Sequence, residues 1–192
     1  MNPRLAFIAA PLLVLAYGVI RILDGLDGAR GPGLAWTTGH LAFMAALVLF
    51  ASTFVQMRRM AGRNTLSTVW TGLGIAGVLA LLAQFGIDIA VGFMAADNAG
   101  MGVLFDQVKA VPGVSLAIYE GGPLLFFVGQ VALVTQLAAQ RRVRAWTPVL
   151  VLLDCVVPFI EKDLMPVGAI LLLISFAPLA GRVSRRPVPA HA

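Results

Sequence analysis

TPVLVLLDCVVPFIEKDLMPVGAILLLISFAPLAG, residues 147–181, is almost continuously apolar, yet it carries Asp154, Glu161, Lys162 and Asp163. A helix needs about 20 apolar residues to cross about 30 Å of hydrocarbon. This stretch is too long for one crossing and barely long enough for two. Two short helices with Glu161-Lys162-Asp163 at the turn use all of it; one broken helix is the alternative. Either way, acids are held inside a membrane protein or at its rim. An ionisable group at that depth is costly, which makes it a functional-site hypothesis.

Composition agrees. Of 192 residues, 59% are hydrophobic and 12% charged, against about 45–50% and about 25% in soluble domains. The net charge of +5 does not point to nucleic acid, because the basic residues sit in short clusters at the ends of apolar runs, where they encode membrane topology. Cys155 is the one cysteine. It excludes an intrachain disulfide and a cysteine-based metal site and reads as a small buried hydrophobe.

Working outward, the expected spans are 5–23, 34–56, 68–94 and 114–139, followed by the two in 147–181. The first is taken as retained, since no small-x-small cleavage site precedes Arg21. Pro3 suits a helix start, and Pro11 is expected to kink that helix. Gly72, Gly74 and Gly77 are either close-approach positions between helices or merely tolerated. Within the long loop 95–113, Val103, Leu104, Val108 and Val111 recur at helical spacing, which predicts a short interfacial helix, either a connector or a lid. The fold class expected is all-α: a polytopic transmembrane bundle of about six spans, or five if 147–181 is one broken helix. It forms one domain, 1–182, with a polar tail, 183–192.

Charge sets the orientation. Arg4, Arg58, Arg59, Arg63, Arg141, Arg142, Arg144, Arg182, Arg185 and Arg186 fall at alternate ends of the spans, and those ends should be cytoplasmic. An even number of spans with both termini inside satisfies this, in a multi-pass protein of the plasma membrane. All nine acids then lie toward the outer side: Asp24, Asp27, Asp88, Asp97, Asp106, Glu120, Asp154, Glu161 and Asp163. Four bases accompany them, Arg21, Arg30, Lys109 and Lys162. The positive-inside rule explains the arginines but not acids embedded in spans.

At about 1.5 Å per helical residue, His40, Asp88, Glu120 and Asp154 share a layer in the outer half of the bilayer. Tyr17, Arg21 and Asp24 lie on one helix face, with Arg21 as counter-ion for one embedded carboxylate. Gln84 stands one turn before Asp88. Tyr119 adjoins Glu120, where Gly121-Gly122-Pro123 should loosen the helix. One arginine cannot neutralise every acid, so burial favours the protonated, proton-donating form of at least one. That is the equipment of general acid catalysis or of proton coupling. The candidate catalytic residues are Asp88, Glu120, Asp154 and Glu161. The candidate substrate-binding residues are Tyr17, Arg21, Asp24, Trp36, His40, Gln84, Tyr119 and Phe159, whose aromatic members offer π-faces to a cation. The alternative for the acids is that they pin the bundle through mutual pairing.

No metal or cofactor is implied. His40 lacks a second histidine within the spans for haem, and no metal-ligand spacing or aspartate-rich diphosphate motif is present. In size, scattered embedded acids and lack of metal motifs, the chain resembles the small integral-membrane terpene cyclases. Its Ala/Gly/Leu/Arg-rich style is also similar to that of actinobacterial polytopic membrane proteins. The cyclase resemblance implies proton-initiated, metal-independent cyclisation or isomerisation of a lipid-soluble isoprenoid-type substrate, with carboxyls as proton donors. A proton- or cation-coupled transporter or channel is the second class, and a non-catalytic membrane subunit the third. The partners implied are the bilayer and a lipid-soluble small molecule.

Overall fold

The computed structural model describes residues 3–26, 28 and 30–183. Each apolar run closes into a helix that stops at turn residues. Helix α1 (Pro3–Asp24) runs unbroken through Pro11. After the glycine-rich loop comes α2 (Leu34–Met60). Helices α3 (Thr65–Met94) and α4 (Asn98–Ala110) each begin on a side-chain cap: Asn64 accepts from the Ser67 N–H, and Asp97 from the Gly100 N–H, both at 2.8 Å. Such caps satisfy donors that a helix start leaves free. A π-helical turn (Ser115–Gly121) runs directly into α5 (Gly122–Ala139). Helix α6 (Thr147–Ile160), a 3₁₀ turn (Lys162–Leu164) and α7 (Met165–Val183) complete the chain. No strand occurs among the described residues.

The stretch 147–181 therefore folds as two helices broken at Glu161, and α4 is the helix predicted inside the long loop. Five helical segments are long and apolar enough to cross a membrane: those of α1, α2, α3, the π-turn with α5, and the 3₁₀ turn with α7. Helix α6 has 14 residues, about 21 Å, which is shorter than the hydrocarbon thickness. The expected count of six thus rests on α6. The tail 184–192, with Arg185, Arg186 and His191, lies outside the described residues, as does Asp27.

The helices form a closed ring in the order α1, α2, α3, α5, α6, α7, with α7 returning to α1 and α2 touching α5 across the middle. The two ends of the ring differ in charge. At one end the α2–α3 and α5–α6 turns are tied together: Gln136 Nε2 donates to Asn64 Oδ1 and Gln140 Nε2 to the Ala61 carbonyl, both at 3.1 Å. Arg58, Arg59, Arg63, Arg141, Arg142 and Arg144 gather there. At the opposite, acidic end, Arg30 reaches from the α1–α2 loop to Asp163 in the α6–α7 turn.

The α3–α5 crossing decides the middle of the ring. A Cβ on Gly77 would stand 2.2 Å from the Phe126 nitrogen, and one on Gly129 would stand 2.5 Å from the Gly74 nitrogen. Backbones this close exclude any larger residue, which is how small side chains join helices in an apolar medium. Of the three glycines singled out in the sequence, Gly74 and Gly77 carry contacts and Gly72 faces open space. Toward the arginine end the ring is filled by Phe7, Phe50, Phe54, Phe126 and Phe176, packed edge-on and tilted at 5.1–6.4 Å between centroids.

Candidate functional site

Toward the acidic end the core turns polar around His40 and Asp88, which are 4% and 8% exposed. His40 and Trp36 are one turn apart on α2, so both face α3. His40 Nδ1 stands 2.7 Å from the Trp36 carbonyl. At that distance the nitrogen carries the hydrogen and donates. Its other nitrogen, Nε2, faces Asp88 Oδ2 at 3.6 Å. An imidazole so oriented turns its second nitrogen to the carboxylate. Tyr119 Oη donates to the other Asp88 oxygen over 3.5 Å. Both distances are long for hydrogen bonds.

The backbone is shaped to hold this pair. Trp36 Nε1 donates to the Asp88 carbonyl at 2.9 Å. The indole fits because residue 92, one turn beyond Asp88, is glycine; a Cβ there would lie 2.7 Å from the indole ring. Tyr17, Trp36 and Phe85 surround the imidazole, with centroids at 5.7, 4.1 and 5.1 Å. Phe43 stacks on Phe85 at 4.4 Å. The π-faces of this box line the imidazole, the kind of surface that attracts positive charge. Among the described residues no group of three or more His, Cys, Asp or Glu side chains is placed to hold a metal.

A narrow cleft lined by Tyr17, Arg21, Asp24, Arg30, Trp36 and His40 opens from this box. Helix α4 flanks the centre: Phe105 approaches Trp36, with ring centroids 6.5 Å apart, and Lys109 stands 5.3 Å over the Tyr119 ring.

Several expectations are corrected. Arg21 does not neutralise an embedded acid. It pairs with Asp163 at 3.5 Å, alongside Arg30, which grips the same carboxylate at 2.6 and 2.8 Å. Glu120 does not converge with Asp88. It is exposed and accepts from Ser115 Oγ, five residues back. The π-turn widens the helix there and sets Tyr119, not Glu120, toward Asp88. Glu161 is exposed and accepts from the Asp163 N–H, a cap for the 3₁₀ turn. Phe159 is exposed on the outside of α6, against Phe127. Asp154 lies on α6, and α3 and α6 are not neighbours in the ring, so the three-carboxyl pocket does not form. Gln84 is half-buried one turn before Asp88, with its Oε1 buried and without a hydrogen-bond partner. Tyr17, Trp36, His40, Asp88 and Tyr119 do come together.

A second concavity is an apolar groove of about 660 Å³ between α3, α5 and α6, lined by Trp70, Phe127, Val131, Cys155 and Phe159 among others. It carries no acid and no histidine.

Sequence reasoning missed Gly92 as the seat of Trp36 and Asp163 as the partner of Arg21. For Gly92 a signal existed, since a glycine one turn after a buried acid marks close approach of another group. No family model matches the sequence, and neither a curated protein nor a solved structure matches it.

Proposed function

We propose that the chain spans a membrane with six helices, α6 the shortest, and with both termini and the arginine end in the cytoplasm. The acidic end, with its cleft, then faces outward in the plasma membrane. The charge segregation of the two ends supports this orientation.

We further propose that the chain is an integral-membrane enzyme of the isomerase or cyclase type. His40 and Asp88 act together as general acid and base on the reacting end of a lipid-soluble, isoprenoid-type substrate. The observation that carries the reading is the His40–Asp88 pair itself, 3.6 Å apart inside an aromatic box. A proton passes from the pair to one carbon of a double bond, and another is returned from a neighbouring carbon. The step needs no co-reactant. The walls formed by Tyr17, Trp36 and Phe85 stabilise the cation in between. Tyr119 and the Trp36 indole position Asp88, and the substrate's tail stays in lipid. The phenylalanine-filled arginine end favours a site open on one side over a conducting path.

The test is incubation of membranes expressing the chain with prenylated and epoxidised lipids, read by mass spectrometry and NMR for isomeric products. Asp88→Asn and His40→Gln should each lower product formation by about 10²–10⁴-fold, with unchanged behaviour in detergent. Turnover by both variants equal to that of the unmodified chain would refute the assignment.

A further inference from the structure

The other half of the ring holds a carboxyl that this chemistry does not use. Asp154 lies on α6 against Gly168 of α7; a Cβ on that glycine would come within 2.9 Å of Asp154 Oδ1 and 3.3 Å of the Asp154 carbonyl. Four residues on is Pro158. A proline has no N–H, so the Asp154 carbonyl loses its usual helical partner. Across the interface, Gln130 of α5 is 0% exposed, and neither its Nε2 nor its Oε1 has a hydrogen-bond partner. Its amide lies beside the Asp154 carboxyl. The Asp154 carboxyl and the Gln130 amide thus lie side by side, next to a carbonyl that Pro158 cannot serve.

Among the described residues, no cation on α5, α6 or the facing part of α7 compensates them. Helix α5 has no charged residue. On α6 the other titratable group is Cys155. Helix α7 carries Arg182 in its last turn, 14 residues beyond Gly168, or about 21 Å along the axis. In the intervening turn, Glu161 and Lys162 are exposed and Asp163 is held by Arg30. An uncompensated carboxylate among apolar helices is costly, so a cation must come from outside. A hard metal ion wants about six or more oxygens, whereas Asp154 and Gln130 supply four between them. A proton needs one donor and one acceptor.

We propose that Asp154 and Gln130 form a second proton site, independent of the His40–Asp88 pair. With the proton on, the Asp154 carboxyl donates to Gln130 Oε1 and the Gln130 amide donates to the carbonyl released by Pro158. With it off, the amide turns its N–H groups to the carboxylate and releases that carbonyl. Loading and unloading the site therefore changes how α5 holds α6.

The experiment uses the full chain in lipid nanodiscs, in an Asp88→Asn background that removes the first centre, and records pH-difference infrared spectra. A protonated-carboxyl carbonyl band that titrates should persist in that background and vanish when Asp154→Asn is added. Gln130→Leu should shift it by removing the acceptor. Pro158→Ala leaves Asp154 in place but returns an N–H to its carbonyl, and should shift the band as well. Replacing choline by sodium should leave the band unchanged. A band that survives Asp154→Asn overturns the proposal. So does a band indifferent to both Gln130→Leu and Pro158→Ala, or one displaced by sodium. Failure of the acid–base reading would show separately, as unchanged product formation in the His40 and Asp88 variants.

Discussion

Asp88 and Asp154 look alike in the sequence: each is a lone aspartate about six residues from the acidic end of an apolar helix. In the fold they are opposites. Asp88 has a base at one oxygen, a phenol at the other and an indole on its carbonyl. Asp154 has only the amide of Gln130 beside it, and a carbonyl deprived of its helical partner. On the readings proposed above, the first arrangement would hold a proton next to a base that can pass it on, and the second would hold one with no base to receive it. Burial alone does not equip a carboxyl for proton transfer; a neighbouring acceptor is needed as well.

The sharpest way to break this comparison is to make both aspartates apolar. Asp88→Leu strands the His40 imidazole and the Tyr119 hydroxyl in the core, and removing one partner of a buried pair costs about 3–5 kcal/mol. Asp154→Leu removes a group that the surrounding helices do not compensate, so stability should hold or rise. Unfolding in detergent, followed by tryptophan fluorescence or circular dichroism, should give shifts of opposite direction. Equal losses would mean that Asp154 has a partner as good as His40.

A somewhat smaller effect is expected at the seam between the two halves. Gly77 of α3 lies against the Phe126 backbone of α5. Gly77→Val overpacks that crossing and should cost about 1–3 kcal/mol, while Gly72→Val, facing open space, should cost less than about 0.5 kcal/mol. Thermal melts of the two variants give the comparison directly. If they melt alike, the close crossing does not set the spacing of the halves.

The helices and the two-helix reading of 147–181 were legible because long apolar runs bounded by Gly, Asn and Asp leave little choice. The rotation of each helix about its axis was not legible. Glu120 shows why: a steady 3.6-residue count places it with Asp88, but the i→i+5 hydrogen bonding of the π-turn changes the count just before it and brings Tyr119 inward instead. Arg21 shows the other gap. Its partner, Asp163, is 142 positions away and is met only because α7 closes the ring onto α1. The spacing of His40 and Asp88 did suggest one layer, since depth depends on residue count alone.

The smallest effect should come from the link between the halves. Asp163, on the α6–α7 turn, is bound by Arg30 and Arg21 from the α1–α2 side. Its side chain is 39% exposed, and an ion pair that solvent reaches is worth about 0.2–1 kcal/mol. Asp163→Asn should therefore shift unfolding only slightly, and less in high salt than in low. Its functional effect should be more visible, because Arg21 and Arg30 line the cleft above His40 and would lose the carboxylate that holds them at its mouth. Substrate saturation should weaken while turnover at saturation stays near that of the unmodified chain, as expected when binding and not the proton-transfer step is touched. A loss of turnover with unchanged saturation would place Asp163 within the acid–base machinery. The division between a centre that reacts and a turn that only frames it would then have to be redrawn.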